Sequence, residues 1–205
     1  MKDNQLKEQV MKDIREALMD RNEVAECDST TAVDAENNGT EDLSVVFAKN
    51  FTQNGGTMYY CLNENDIRQR LEEIRHRHGD AIVGCASENL SSFLCHIGMD
   101  NCCLCDPSKI YPLGAILCEA LISWNGSIVI TSNLGLGNTI NALPETTVVL
   151  AFTSQVVSDW MAANERLKTL YTDYPEQVIV TSPASHAYRK GTQKLYLILI
   201  EDETN

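Results

Sequence analysis

Basic residues are scarce in this 205-residue chain: lysine and arginine total 16 against 29 acidic residues, which leaves a formal net charge of −13. A protein that grips the phosphate backbone of a nucleic acid needs a basic surface, so this composition argues against a nucleic-acid partner. Apolar runs are also short, and none reaches the ~20 residues that a membrane span requires. Residues 1–14 are polar where a signal peptide needs an apolar core. The sequence therefore predicts a cytoplasmic protein that binds neither nucleic acid nor membrane.

The composition divides the chain into three parts. Residues 6–18 carry apolar side chains at three- and four-residue spacing, which predicts an N-terminal helix within residues 1–21. Residues 22–42 hold seven acids, no base and few large apolar residues, so they predict an acidic linker that buries too little surface to offset its chain entropy. Residues 43–205 have the length and composition of a single domain.

Within residues 43–205, short apolar runs alternate with helical patterns. Helices are predicted at 43–51, from Asn63 or Asn65 to Gly79, and between 152 and 178 with Thr153 or Ser154 as the cap. Strands are predicted after the glycine turn at 55–56 and at 81–85, 102–105, 116–122, 128–131, 147–152, 178–181 and 195–200. Short, nearly continuous apolar strands separated by helices indicate an α/β fold with a mostly parallel sheet covered by helices on both faces.

The segment NGSIVITSNLGLGNT, residues 125–139, is the most informative candidate for a ligand-binding loop. A predicted strand runs into two glycines and then into Asn138 and Thr139, which can cap a short helix that ends at Pro144. Such a loop can hold a phosphate or a carboxylate on its backbone N–H groups. A tight turn between strand and helix is the alternative, because the third glycine of a dinucleotide fingerprint and the lysine of a P-loop are missing.

A second polar cluster, TSPASHAYRKG at 181–191, follows the predicted strand 178–181. It combines hydroxyl groups with His186, Arg189 and Lys190, so it could meet the glycine loop and supply cations to an anionic ligand. A solvated polar loop is the alternative.

Eight cysteines lie at positions 27, 61, 85, 95, 102, 103, 105 and 118. Cys102 and Cys103 are adjacent, so they would face opposite sides of a strand, and only Cys103 and Cys105 would share a side. Zinc ligands are usually two to four residues apart, and no second pair supports a zinc site. The pattern favours buried strand thiols over a metal site.

Glu119 is the acid best suited to catalysis, because it lies inside the apolar run 118–122, where burial would shift its pKa. It is interpreted either as a general base or as an acid that points to solvent. No Gly-x-Ser-x-Gly elbow and no iron–sulfur ligand spacing is present. We therefore expect neither a metal nor another cofactor.

The C-terminal half carries, in order, CEALISWNGSIVIT, SNLGLGN, ALP, TTVVLAF, a predicted helix, SPAS and KLYLILIED. This order, over about half the chain, resembles the LUD domain family of lactate-utilisation proteins, nearest the LutC-type subunit. In that family the corresponding run is A-D-A-A-I-A-E-T-G-T-L-V-L, then a glycine/serine loop, L-L-P, a strand, a helix, G-P-S and a last strand. Glu119 falls on the family's aspartate, Gly126-Ser127 stands for its Gly-Thr, and Trp124 replaces its acid.

The resemblance implies a fold similar to the NagB/RpiA/CoA-transferase-like sheets and a part in oxidising L-lactate to pyruvate, alongside iron–sulfur partner subunits. It does not imply redox chemistry in this subunit, so we expect an accessory component that binds a small anionic metabolite. Glu119 is the candidate catalytic residue. The predicted ligand-binding residues are Gly126, Ser127, Asn133, Gly135, Gly137, Asn138, Thr139, Ser182, Ser185, His186, Arg189 and Lys190.

Two other functions stay open at this point. The chain could be an isomerase or transferase that acts on a sugar phosphate or a CoA-linked substrate, with Glu119 as base. It could also be a degenerate LUD domain that acts by protein–protein contact through its acidic N-terminal segment.

Overall fold

The structure is a computed structural model that describes residues 42–106, 109, 111–134, 144, 146–185 and 194–202. The predicted helix within 1–21, and all of the predicted linker 22–42 except Asp42, lie outside these residues. None of the helices in the described ranges is both long enough and apolar enough to cross a membrane.

Two sheets form the frame of the molecule. In chain order the strands are β1 Thr57–Cys61, β2 Val83–Cys85, β3 Cys102–Leu104, β4 Leu113–Leu117, β5 Ala120–Ile122, β6 Ser127–Thr131, β7 Thr146–Phe152, β8 Val156–Val157, β9 Val178–Thr181 and β10 Lys194–Ile200. The main sheet has six strands in the order β1-β10-β7-β4-β2-β3, and every neighbouring pair is parallel. A second sheet has the order β8-β5-β6-β9, in which β6 runs antiparallel to both of its neighbours.

Four helices that lie wholly within the described ranges cover these sheets: α1 Leu43–Gln53, α2 Glu64–Arg77, α3 Glu88–His96 and α4 Trp160–Leu170. Each begins after a side chain that accepts a backbone N–H of the first turn, which satisfies one of the free donors at a helix start. These capping side chains are Asp42, Asn63, Ser87 and Asp159.

The two faces of the main sheet are covered differently. On one face, apolar side chains of α2 and α3, such as Leu71 and Leu94, pack against β2, β4, β7 and β10. On the other face, α1 and the second sheet pack against the main sheet through residues that include Phe51 and Ile128. Helix α4 lies on the second sheet, where Ala163 and Leu167 contact β5 and β6. The structure confirms the predicted α/β class with a mostly parallel central sheet flanked by helices.

Some element boundaries differ from the sequence-based expectation. The run predicted as one strand at 116–122 is two strands in two sheets, because the chain changes hydrogen-bond partners at residues 118–119. There the Gln155 side chain donates to the carbonyl of Cys118 at 2.7 Å, and the N–H of Glu119 donates to Val129 in the second sheet at 2.8 Å.

The helix predicted to be capped at Thr153 or Ser154 starts later. Residues Thr153–Gln155 form a 3₁₀ turn and two β-branched valines pair with β5 before α4 begins behind Asp159. Helix α3 was not predicted at all, since its apolar stripe is short and includes polar positions.

Candidate functional site

The carboxyl ends of all six parallel strands meet at one edge of the main sheet. From β2 the chain moves outward to β3, then returns to β4 on the opposite side of β2 and continues in the other direction. Ligands of open α/β sheets bind outside the carboxyl ends of the strands, near such a reversal of strand order. Ser87 follows β2 and Cys118-Glu119 follow β4 at this position.

Glu119 lies at this edge and is buried, with only 6% of its surface exposed. The hydroxyl of Thr131 donates to its Oε1 atom at 2.9 Å, and the hydroxyl of Tyr171 donates to the same atom. Within the described ranges no donor contacts the other carboxylate oxygen, Oε2. A buried carboxylate oxygen without a donor is costly, so Oε2 is the atom of this carboxylate best placed to take a proton or a ligand hydroxyl.

Arg166 bridges two neighbouring strand exits beside Glu119. From α4 its Nε donates to the carbonyl of Glu119 at 2.9 Å and its Nη1 donates to the carbonyl of Ser154, after β7, at 3.1 Å. These partners are neutral carbonyls, and the arginine forms no ion pair with any described carboxylate. Among the described residues, no carboxylate offsets the charge of this guanidinium and no acceptor contacts Nη2, so Nη2 is the atom that can bind an anion.

Two titratable groups beside Glu119, the Tyr171 hydroxyl and the Cys118 thiol, stay neutral near pH 7. Burial raises the pKa of the Tyr171 hydroxyl, and its hydrogen bond to Glu119 raises it further, against smaller opposing effects of the Thr131 and Asn133 side chains. Burial also raises the pKa of the Cys118 thiol strongly, and the neighbouring Glu119 adds to that shift. Tyr171 is thus a hydrogen-bond donor to Glu119, and Cys118 is not a thiolate nucleophile.

We name Glu119, Thr131, Tyr171 and Arg166 the carboxyl-edge cluster. It combines a fixed cation with a buried carboxylate whose Oε2 atom has no donor among the described residues. The cation can hold the carboxylate or phosphate of a small metabolite, and the free oxygen can accept a proton or hydrogen bond from it.

The predicted glycine loop starts at this cluster. Asn133 lies in the 3₁₀ turn Ser132–Leu134 directly after β6, and its side chain influences the Tyr171 hydroxyl. The backbone N–H of Ser132 donates to the carbonyl of Gln177, which ties this turn to the second sheet. The loop residues predicted to bind an anion, Gly135, Gly137, Asn138 and Thr139, lie outside the described residues.

The other predicted site residues with described positions lie at the opposite end of the second sheet. Strands β6 and β9 are antiparallel, and Ile128 pairs with Thr181 while Thr131 pairs with Val178. The loop after β9 therefore starts about 10 Å along the strands from the loop after β6. The two predicted loops leave this strand pair at opposite ends, and His186, Arg189 and Lys190 lie outside the described residues.

Packing accounts for the glycine at position 126. It adopts a φ of +64°, and a Cβ atom there would lie 2.5 Å from the backbone nitrogen of Phe51 in α1. Asn50 reinforces this contact, because its side-chain amide donates to the carbonyls of Ser123 and Trp124. Ser127, which follows in β6, is buried.

Ser182 and Ser185 bond to each other. The N–H of Ser182 donates to the Ser185 hydroxyl at 2.8 Å, and the two hydroxyls are 3.2 Å apart. The hydroxyl groups that were predicted to contact a ligand are therefore hydrogen-bonded within the turn 182–185.

The sequence analysis did not identify Arg166 and Tyr171. The signal was present: Arg166 falls between the buried positions Ala163 and Leu167 of α4, and a basic residue on an apolar stripe points to a specific partner. Tyr171 follows the last turn of the same helix, close to that stripe.

An open depression of about 610 Å³ lies elsewhere, on the outer face of α2. Several of its charged side chains are paired within the helix, as in the ion pairs of Arg77 with Glu73 and of Glu72 with Arg75. This depression is a solvated helix face.

The expectation of buried strand thiols holds for only part of the cysteine set. Cys61, Cys85 and Cys118 are buried, and Cys102, Cys103 and Cys105 are half-buried. Cys95 contradicts the expectation, because it lies on helix α3 and is exposed. In the part of the chain that the structure describes, no three His, Cys, Asp or Glu side chains converge as metal ligands would.

Comparison with known proteins identifies a likeness in structure. No protein-family model and no curated protein matches the sequence. The fold matches a crystal structure of a DUF162 family protein from Deinococcus radiodurans with a TM-score of 0.61 and 14% identity, over 77% of this chain and 96% of that chain. DUF162 corresponds to the LUD domain. At this identity the likeness shows a shared fold, an α/β fold with a mostly parallel central sheet flanked by helices.

Proposed function

We propose that this chain is a LUD-type component of L-lactate utilisation that binds a small carboxylic acid at the carboxyl-edge cluster. In this proposal it carries no redox centre and acts beside iron–sulfur subunits that perform the oxidation. The observation that carries the proposal is Arg166, a cation without a carboxylate partner in the described ranges, held across two strand exits of a parallel sheet.

The resemblance of the C-terminal half to LutC-type subunits supports the lactate pathway, and the DUF162 neighbour supports the fold that such a component requires. Glu119 gives the proposed site its selectivity. A 2-hydroxy acid offers Arg166 a carboxylate and offers Oε2 of Glu119 a hydroxyl donor, whereas a simple anion would be repelled by Glu119.

A second candidate function rests on Glu119 itself. A buried carboxylate oxygen without a described donor can act as a general base, which favours an isomerase or transferase that removes a proton from a phosphorylated or CoA-linked substrate. In that case Glu119→Gln keeps substrate binding and stops turnover, because the amide oxygen still accepts from Thr131 and Tyr171, whereas the NH₂ group in place of Oε2 cannot take the substrate's proton.

The test is a thermal unfolding series of the full chain with L-lactate, pyruvate, a sugar phosphate and coenzyme A. A ligand that binds only the folded state at 100 times its Kd stabilises it by about 2.7 kcal/mol. We expect L-lactate to raise Tm, and pyruvate to raise it less because pyruvate has no hydroxyl to donate to Glu119. We expect Arg166→Gln to abolish the rise with L-lactate relative to the variant's own baseline.

Arg70→Gln is the matched control, because it removes the same charge from an exposed position on α2. It should leave the ligand-induced rise unchanged. A rise with the sugar phosphate or coenzyme A alone would favour the second candidate. A rise with none of the four would contradict both and leave the protein-contact alternative.

A further inference from the structure

Two cysteines outside the carboxyl-edge cluster lie in contact. The Sγ atom of Cys95, in the last turn of α3, is 3.4 Å from the Sγ atom of Cys102, the first residue of β3. This separation is about that of two sulfur atoms in van der Waals contact. A disulfide requires about 2.05 Å, so small side-chain rotations would close the bond.

The turn between α3 and β3 holds these two cysteines together. Gly98 ends the helix with a φ of +87°, and its N–H donates to the carbonyl of Cys95 at 3.0 Å. The N–H of Met99 then donates to the carbonyl of Leu94 at 2.9 Å, and Met99 is fully buried. This glycine-terminated helix end returns the chain to its own last turn, which brings Cys102 beside Cys95.

The environments of the two thiols assign them different roles. Cys95 is exposed, whereas Cys102 is half-buried and its thiol lies 3.1 Å from the carbonyl of Met99. Burial raises the pKa of Cys102 to about 11, with the neighbouring Cys95 adding to the rise. An incoming reagent therefore reaches the exposed Cys95 first, and the half-buried Cys102 then reacts with the sulfur of Cys95.

We propose that Cys95 and Cys102 form a reversible dithiol site that a low-molecular-weight disulfide of the glutathione type oxidises. In the first step the Cys95 thiolate attacks one sulfur of the reagent, forms a mixed disulfide and releases one thiolate. In the second step Cys102 gives up its proton and attacks the Cys95 sulfur, which releases the second thiolate. The two cysteines lose two electrons, the reagent is reduced to two thiols, and the protons of the cysteines pass to those thiols.

The test exposes the reduced full-length chain to glutathione disulfide, traps free thiols by alkylation and measures the intact mass. We expect the loss of two hydrogen atoms with no retained glutathione, and full reversal by dithiothreitol. Trypsin would leave five cysteines in one peptide, since no lysine or arginine lies between Arg77 and Lys109. A protease that cleaves before aspartate separates residues 80–99 from 100–105, so the disulfide appears as two linked peptides.

Three variants make the assignment specific. Cys95→Ser should prevent formation of the disulfide without disturbing the fold, because the residue is exposed. Cys102→Ser should stop the reaction at the mixed disulfide and retain one glutathionyl group on Cys95. Cys103→Ser is the matched control on the neighbouring position and should oxidise as the unchanged chain does. An internal disulfide that survives Cys95→Ser, a mixed disulfide that persists in the unchanged chain, or a chain that glutathione disulfide leaves reduced would overturn the proposal.

Discussion

Replacing Tyr171 by phenylalanine tests the hydrogen bond from the Tyr171 hydroxyl to the buried carboxylate of Glu119. The substitution removes one hydroxyl and leaves the ring, so the packing of the residue changes little. It withdraws one of the two O–H donors of the buried carboxylate of Glu119, while Thr131 still donates to the same oxygen at 2.9 Å. We expect the variant to fold and to be less stable than the unchanged chain.

The expected loss follows from the charge of the acceptor. Hydrogen bonds to charged groups contribute about 1.5–3 kcal/mol, against about 1 kcal/mol for neutral pairs. Tyr171 is only half-buried and one donor remains, so the lower end applies, and we expect a loss of about 1.5 kcal/mol. For a chain of this size that lowers Tm by about 3–6 °C.

The assay is urea unfolding at pH 7, with Tyr174→Phe as the matched control. The Tyr174 hydroxyl donates to the neutral side chain of Asn164 at 2.8 Å and is exposed, so its removal should cost no more than about 0.5 kcal/mol. In a Glu119→Gln background the acceptor oxygen remains but its charge is gone, and Tyr171→Phe should then cost about 1 kcal/mol or less. Equal losses in Tyr171→Phe and Tyr174→Phe would contradict a charged acceptor for the Tyr171 hydroxyl.

The Tyr171→Phe variant should also differ from the unchanged chain in how its stability depends on pH. In the folded chain burial raises the pKa of Tyr171 above its unfolded value of about 10. The neutral hydroxyl therefore contributes stability that is complete below pH ~10 and is lost as the pH rises through the folded pKa. The unchanged chain should lose more free energy of unfolding above pH 10 than Tyr171→Phe does, and parallel curves for the two would contradict the pKa direction.

Two further predictions concern the frame around the site. Gly126→Ala should lower the free energy of unfolding by more than about 2 kcal/mol, because the added Cβ meets the backbone of α1. Gly79→Ala is the control: its φ is a similar +71° but the space around it is open, so it should lose only about 1 kcal/mol. Equal losses in the two variants would contradict the close approach of Gly126 to α1. The ring of His78 lies 3.3 Å from the Tyr196 hydroxyl, and burial lowers its pKa below the unfolded value of about 6.5. The unfolded chain therefore takes up the proton first as the pH drops below ~6.5, so the free energy of unfolding should fall there. His78→Gln should make that fall smaller. The acid-side curve is measured by thermal unfolding between pH 5 and 8, and an unchanged slope in the variant would contradict the assignment.

The main sheet could be predicted from the pattern of apolar residues along its strands. The runs around β7 and β10 are nearly continuous apolar strands, and such strands occur in parallel sheets covered on both faces. The second sheet was not anticipated, because β5 continues the apolar run of β4 with only two residues between them. Periodicity alone does not show that a strand has changed partners, since that change depends on long-range hydrogen bonds such as the one from Glu119 to Val129.

Within the carboxyl-edge cluster, the sequence singled out only Glu119 as a candidate residue. Glu119 was identified because it interrupts an apolar run, and the structure gives it hydroxyl donors. Arg166 and Tyr171 lie 47 and 52 residues further along the chain, so only the folded sheet brings them to Glu119. Gly126 was identified as a ligand-binding residue, and its backbone conformation and its contact with α1 give it a structural role.

We propose that a small carboxylic acid binds at the carboxyl edge of the main sheet through Arg166. The most direct test is a crystal structure of the full chain soaked with L-lactate, alongside the Arg166→Gln variant under the same conditions. We expect a carboxylate about 2.7–2.9 Å from Nη2 of Arg166, with the hydroxyl turned toward Oε2 of Glu119, and no such density in the variant. A best-occupied ligand far from α4, present equally in the variant, would contradict it.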